Sequence, residues 1–153
     1  VGVPGTVRAE VRELDDRLVV WVDVDATERK GALSSGSSSQ IEAAARIGAR
    51  VCEIHTGPYA HAFHAMGRDA EAQAVITELG KIRQAGERVR KLGMRFNAGH
   101  ALNYYNVQPV ARLAGVRELH IGHAIVSRAV FVGLREAVRE MKQLMREAAE
   151  RGE

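Results

Sequence analysis

Three short segments constrain the fold of this chain more than anything else in it: Cys52-Glu53-Ile54-His55-Thr56-Gly57, Phe96-Asn97-Ala98-Gly99-His100 and His120-Ile121-Gly122-His123-Ala124-Ile125. Each reads as a brief strand that breaks into a Gly/His turn, and helical patterns lie between them. Successive strands separated by helices pair in parallel, because a parallel connection needs a long crossover that a helix supplies. Three donor-rich or ionisable turns then converge at one end of a sheet, which is the layout of an active site.

Along the chain, Thr6 to Asp25 alternates with period two on both sides of Asp15-Asp16, which predicts a hairpin, or at least a strand over Leu18–Asp25. Leu33 to Ser39 is Ser/Gly-rich and can bury almost nothing, so it marks an internal boundary between a segment 1–39 and a unit 40–153. Beyond it the pattern predicts a short helix over Gln40–Ile47 stopped by Gly48, a strand over Val51–His55 and a long helix from roughly Arg68 to Leu92. That helix carries Ala72, Val75, Ile76, Leu79, Ile82 and Val89 at three-to-four spacing and ends at Gly93. A strand over Met94–Ala98, a short helix near Val107–Leu113, a strand over Glu118–Ile121 and a helix from about Gly133 to Arg151 follow. The last helix sets Leu134, Val138, Met141, Met145 and Ala148 on one stripe.

Side-chain parity sorts the strand residues into two faces. Cys52 and Ile54 oppose Glu53 and His55; Met94, Phe96 and Ala98 oppose Arg95 and Asn97; Leu119 and Ile121 oppose His120 and Gly122. One face is apolar and suits helices, while the other is polar. A doubly wound sheet is apolar on both faces, whereas a barrel can give its inner face and strand ends to chemistry. The fold class expected is α/β, a partial (β/α)8 barrel of three or four βα units, preceded by a hairpin or single strand and the Ser-rich loop.

Composition excludes several classes. With 153 residues and 46% hydrophobic content the chain suits one domain with a core, and 5% aromatics leaves the packing to aliphatic residues. The net charge of +3 comes from scattered Arg and Lys without a dense basic run or stacking aromatics, which argues against nucleic acid and suits phosphorylated small molecules. A single cysteine precludes an internal disulfide and fits a reducing compartment. No run approaches a membrane span and Val1–Thr6 lacks the order of a signal peptide, so the expectation is a soluble cytoplasmic protein without a membrane partner.

Glu53 is the sharpest single residue, since a mid-strand carboxylate on an inward face must be paired, protonated or functional. A structural ion pair with Arg95 is the plain alternative. His100 closes the Asn97–His100 turn, where it serves either as a proton-transfer group near neutrality or as a hydrogen-bonded fixture. Gly122-His123 lies where a last barrel strand meets its loop, a common phosphate position near a helix start, or a simple tight turn. Thr56-Gly57 adds a hydroxyl and an N–H to the same mouth. His61 and His64 read as exposed, His120 as inward and packing, Cys52 as a small core residue. A divalent metal held by His55, His100, His123 and Glu53 is the competing chemistry, but no H-x-H or H-E-x-x-H pattern supports it, and neither metal nor cofactor is expected.

These residues resemble the C-terminal half of the pyridoxine 5′-phosphate synthase family. The likeness is carried by Gln40–Ala49, Glu53-Ile54-His55-Thr56-Gly57-Pro58-Tyr59-Ala60, Asn97-Ala98-Gly99-His100-Ala101-Leu102-Asn103-Tyr104 and Glu118-Leu119-His120-Ile121-Gly122-His123-Ala124-Ile125, and it continues through Arg128-Ala129-Val130 to Ala137–Lys142. It implies a barrel enzyme that condenses 1-deoxy-D-xylulose 5-phosphate with 3-amino-2-oxopropyl phosphate to give pyridoxine 5′-phosphate, phosphate and water. It further implies His100 as proton donor, Glu53 as transition-state stabiliser, and Ala101, Gly122 and His123 as ligands of the aminoketone phosphate. Ala101 departs from the family's usual glycine and brings a methyl close to that phosphate. Val20–Asp25 resembles the family's fifth strand only loosely, the Ser-rich stretch has no counterpart, and the two general bases and the sugar-phosphate arginines of the family's first barrel half are not among these residues.

Three or four parallel strands alone would leave two open edges and a polar inner face uncovered. The chain is therefore expected to associate, as a homo-oligomer or with a complementary half. A phosphate-binding half-barrel acting as an assembly module, without turnover, is the non-enzymatic alternative, and a metal-dependent hydrolase the third.

Overall fold

The structure, a computed structural model, describes residues 7–14, 17–24 and 38–151. The N-terminal alternation does form a hairpin: β1 (Val7–Leu14) pairs antiparallel with β2 (Arg17–Val24), with Val7 opposite Val24 and Leu14 opposite Arg17. The acidic connection at 15–16 lies outside the described residues, as does the Ser-rich boundary up to residue 37. Ser38 and Ser39 already belong to α1 (Ser38–Arg46).

From there strand and helix alternate. The strands β3 (Val51–His55), β4 (Arg95–Gly99) and β5 (Val116–His120) form one parallel sheet in that order, with β4 in the middle. Between β3 and β4 run α2 (Gly57–Ala65) and α3 (Gln73–Lys91); α4 (Val107–Ala111) precedes β5; α5 (His123–Val132) and α6 (Leu134–Glu150) follow it. The architecture is α/β, a small parallel sheet with helices. Among the described residues no helix is long and apolar enough to cross a membrane.

The parity split holds. Cys52, Ile54, Phe96 and Ala98 are buried and pack with Ile41 and Ala44 of α1, Tyr59 and Phe63 of α2, and Val75, Ile82, Ala85 and Val89 of α3. Glu53, Asn97, Glu118 and His120 stand on the opposite face. Burial of some fifteen apolar side chains on the helix side is what fixes the register, since a one-residue slip would turn every strand inside out.

Four sequence expectations are corrected. First, Gly57-Pro58 opens a helix in a stretch where the sequence pattern indicated no element: proline is compatible with the first helical turn, whose N–H groups are not used inside the helix. Second, α3 begins at Gln73 and not near Arg68. Third, α5 is a helix of its own directly after Gly122, which the apolar composition of its sequence, without a polar face, conceals from periodicity arguments. Fourth, the apolar stripes are only partly buried. Met141, Ala148 and Ala137 of α6 are buried, whereas Leu134 and Val138, like Ile76 of α3, are exposed.

Together with Val126, Val130 and Phe131 of α5, Leu134 and Val138 leave an apolar surface on the α5–α6 pair; Phe131 is 84% exposed. The two helices are locked to each other by a bidentate ion pair between Arg128 and Glu140, at 2.9 and 3.0 Å. They share a single joint residue, Gly133, which ends α5 and begins α6 with φ 81° and ψ 152°. Tyr104 anchors α6 to the loop after β4 by donating its hydroxyl to the Ala137 carbonyl at 2.8 Å.

Candidate active site

The C-terminal ends of β3 and β4 are stitched together before any functional group is placed. The Thr56 backbone N–H donates to the Gly99 carbonyl at 2.7 Å, and its hydroxyl is shared between the carbonyls of Gly99 (2.6 Å) and His100 (2.5 Å). Thr56 is fully buried. Its N–H and hydroxyl are thus spent on the β4 turn and do not face a ligand, contrary to the sequence expectation.

That turn is unusual in its backbone. His100 and Ala101 both have positive φ, 85° and 57°. A left-handed conformation costs an L-residue about 1 to 2 kcal/mol, so it persists only where neighbours over-determine it. Thr56 does so from one side. From the other, Asn106 donates its amide to the Ala101 carbonyl at 3.2 Å while its Oδ1 accepts the Asn103 N–H at 2.7 Å. Asn106 is itself buried, and its carbonyl accepts the Tyr59 hydroxyl at 2.9 Å. The result is a His100 side chain projected from a pinned loop at the sheet end.

Glu53 is ion-paired, with His120 and not with Arg95. His120 Nδ1 lies 2.6 Å from Glu53 Oε2, while its Nε2 faces Glu118 Oε2 at 3.5 Å and the Asn97 amide nitrogen at 3.4 Å. That amide also donates to Glu118 Oε2 at 3.0 Å, and Asn97 Oδ1 is buried without a hydrogen-bond partner among the described residues. Partial burial opposes the charge on His120, but hydrogen bonds and negative charge from Glu53 and then Glu118 outweigh it and raise its pKa above the ordinary imidazole value.

His55 joins the group from the last position of β3. Its ring stacks on that of His100 with centroids 4.2 Å apart, and its Nδ1 accepts the Gly57 N–H at 3.3 Å. Burial first, and the neighbouring His100 second, hold its pKa below the usual value, against the pull of Glu53. Both effects favour the neutral form of the His55 ring. Cys52 on the other face is buried, and desolvation reinforced by the Glu53 charge pushes its thiol up to about 11, which suits a core residue and not a nucleophile.

Of the residues singled out from sequence, Glu53 stands in the middle of β3 with Oε1 over Gly99, and His100 and Ala101 follow directly on the end of β4. Gly122 and His123 follow two and three residues after the last residue of β5, as the N-cap and first residue of α5. Backbone N–H groups at such a helix start are uncommitted within the helix and favour anions. His61 and His64 lie exposed on α2. Among the described residues no group of three His, Cys, Asp or Glu is arranged to hold a metal ion. Sequence reasoning passed over Asn97 and Glu118 as site members and treated His120 as packing. The signal was present, because Glu118 shares the strand parity of His120.

The site can supply a carboxylate, a neutral imidazole, a titratable imidazole and an anion-attracting helix start within one sheet end, a set fitted to proton transfer on a phosphorylated ligand. Residues 29–147 match the model of the family described as pyridoxal phosphate biosynthesis protein PdxJ. The chain is 85% identical over 114 residues to the pyridoxine 5′-phosphate synthase of Dechloromonas aromatica, covering 74% of this chain and 45% of that protein. It is 80% identical over 110 residues to the synthase of Aromatoleum aromaticum (72% and 44%) and 52% identical over 107 residues to that of a Synechococcus strain (70% and 42%). The chain thus spans less than half the length of these curated relatives. The match runs through β3, β4, β5 and all three turns, and the chain belongs to the PdxJ family of pyridoxal phosphate biosynthesis proteins.

Proposed function

We propose that this chain carries out, or supplies the C-terminal half-site for, the synthesis of pyridoxine 5′-phosphate from 1-deoxy-D-xylulose 5-phosphate and 3-amino-2-oxopropyl phosphate. Its sheet and helices are the last βα units of a (β/α)8 barrel, preceded by a divergent segment 1–39. His100 donates a proton to a leaving oxygen, and Glu53 stabilises positive charge that develops on the condensing aminoketone. The backbone of Ala101 and the α5 start at Gly122-His123 hold the phosphate. The proposal is supported above all by one observation: Glu53 Oε1 lies over Gly99, the residue before His100, on strands whose motifs match relatives named pyridoxine 5′-phosphate synthase.

The test is product formation from the two phosphorylated substrates by the wild-type chain and by His100→Ala, with and without a separately supplied first half of a relative's barrel. A drop of two or more orders of magnitude on removing the imidazole is expected of a proton donor. Equal product from both proteins would remove His100 from the mechanism.

One observation favours a second reading, a phosphate-binding module without turnover: the α5 start at Gly122-His123 offers N–H groups uncommitted within the helix, which attract an anion whether or not a reaction follows. Calorimetric titration with inorganic phosphate alongside the assay separates the two. Phosphate binding lost on changing Gly122, with no product under any condition, would leave the module reading.

Among the described residues β3 and β5 are edge strands and the α5–α6 pair carries an exposed apolar surface, which supports self-association of the isolated chain.

A further inference from the structure

The Glu53–His120 hydrogen bond spans two strands that are not neighbours. Neighbouring strands lie roughly 5 Å apart, so β3 and β5 are separated by about twice that. In the parallel register Glu53 is level with Asn97 and Glu118, and His120 with Gly99 and His55. Glu53 therefore reaches forward one row and crosses β4 above Gly99. A Cβ built on Gly99 would run into Glu53 Oε1 and would lie 3.0 Å from His120 Cβ and the His120 carbonyl oxygen. The bare α-carbon is what lets the two side chains close over the strand. Oε2 is then held by His120, and Oε1 is left over Gly99, one residue from His100.

We propose that His120 is a positioning residue for Glu53, fixing the direction of its carboxylate through an Nδ1–H donor that persists whether or not His120 is charged. The surroundings of the ring allow this. The titratable groups on its face are Glu53 and His55 of β3, Arg95 at the start of β4, His100 after β4, and Glu118 of its own strand; Asn97 is the neutral polar neighbour. In neutral His120 the Nδ1 proton goes to Glu53 Oε2, and the Nε2 lone pair accepts from the Asn97 amide at 3.4 Å. In the charged form Nε2–H turns to Glu118 Oε2 at 3.5 Å. Only the Nε2 side changes partner, and the Nδ1 side serves Glu53 in both states.

The experiment uses the full chain with 15N-labelled imidazoles, so that tautomers are read by NMR with no dependence on turnover. Above the titration of His120, Nδ1 is expected to carry the proton and Nε2 to be bare. In Glu53→Gln the His120 midpoint is expected to fall, and in Glu118→Gln to fall less. A neutral His120 protonated on Nε2, or a midpoint indifferent to Glu53→Gln, overturns the proposal.

The second arm rests on the synthase reading above. His120→Leu is expected to lower kcat about tenfold or more with KM changed less than about twofold, as for a misplaced catalytic group. His120→Asn, whose side-chain amide N–H falls near the place of Nδ1–H, recovers most of that loss and removes the His120 limb from the pH profile. A leucine variant with wild-type kcat overturns the proposal. Absence of turnover in the wild-type chain sinks the synthase reading alone, because the tautomer measurement still decides the role of His120.

Discussion

Glu53 Oε2 and His120 Nδ1 are 2.6 Å apart although their strands, β3 and β5, are held apart by β4. The contact ties the two outer strands of the sheet across its polar face, where no helix packs among the described residues. It also directs one carboxylate toward the pinned His100 turn, so the same pair serves the sheet and the site.

Gly99→Ala should break this crossing. The new methyl would collide with the Glu53 carboxylate and press on His120 and its backbone. The expected cost is about 1 to 3 kcal/mol of stability, typical of overpacking, accompanied by a fall in the His120 titration midpoint as it loses Glu53. Urea denaturation and NMR titration of the same variant check both outcomes together.

Thr56→Val keeps the side-chain volume and removes the hydroxyl shared by the Gly99 and His100 carbonyls. Leaving buried acceptors unpaired costs about 1 to 3 kcal/mol. Because the loss falls on the turn that carries His100, hydrogen exchange of residues 99–103 should accelerate more than that of α3. Thr56→Ser, which keeps the donor, should lose distinctly less.

Ala101→Gly should behave unlike an ordinary helix substitution. At φ 57° the alanine is strained and glycine is not, so thermal melting is expected to show no loss and up to about 1 kcal/mol of gain. The same exchange at Ala85, inside α3, should cost about 1 kcal/mol. A destabilised Ala101→Gly would mean that the left-handed turn is not the resting conformation.

Two histidines give stability opposite pH dependences. The pKa of His120 is raised in the folded chain, so its contribution is full below the unfolded value near 6.5 and fades as pH climbs through the folded value. His55 is depressed chiefly by burial, so stability is lost as pH falls from about 6.5 through its lower folded value. Denaturation midpoints measured between about pH 5 and 8 should peak in between. His120→Asn should flatten the alkaline side, and His55→Phe the acidic side; the reverse assignment would contradict the stacked, buried setting of His55.

The isolated chain should sediment as an oligomer, through the face built by Val126, Val130, Phe131, Leu134 and Val138. Phe131→Glu with Val130→Lys is expected to shift it toward monomer in analytical ultracentrifugation. A wild-type chain that stays monomeric across the accessible concentrations would argue against self-association.

Much of this arrangement was legible because it follows from local rules. Parity alone put Cys52, Ile54, Phe96 and Ala98 on the buried side and Glu53, Asn97 and His120 on the polar one. Gly48 and Gly93 mark helix ends that periodicity had already implied, and both take positive φ. What escaped was either non-periodic or non-local. α2 and α5 lack a polar stripe, so no moment betrays them, and the exposure of Leu134 and Val138 depends on what covers them and not on their spacing. The partner of Glu53 escaped for the same kind of reason: Arg95, the alternative partner considered from the sequence, is near it in register, but the contact with His120 crosses a whole strand and depends on an absent side chain at position 99 of β4, between the two.

Gly133 bears on how this sequence can drift. With φ 81° and ψ 152° it occupies a region open in practice to glycine alone, and it is the only residue between two helices clasped by Arg128 and Glu140. A saturation library read for folding should accept almost no replacement at 133, so that the angle of the helical pair is inherited through one codon.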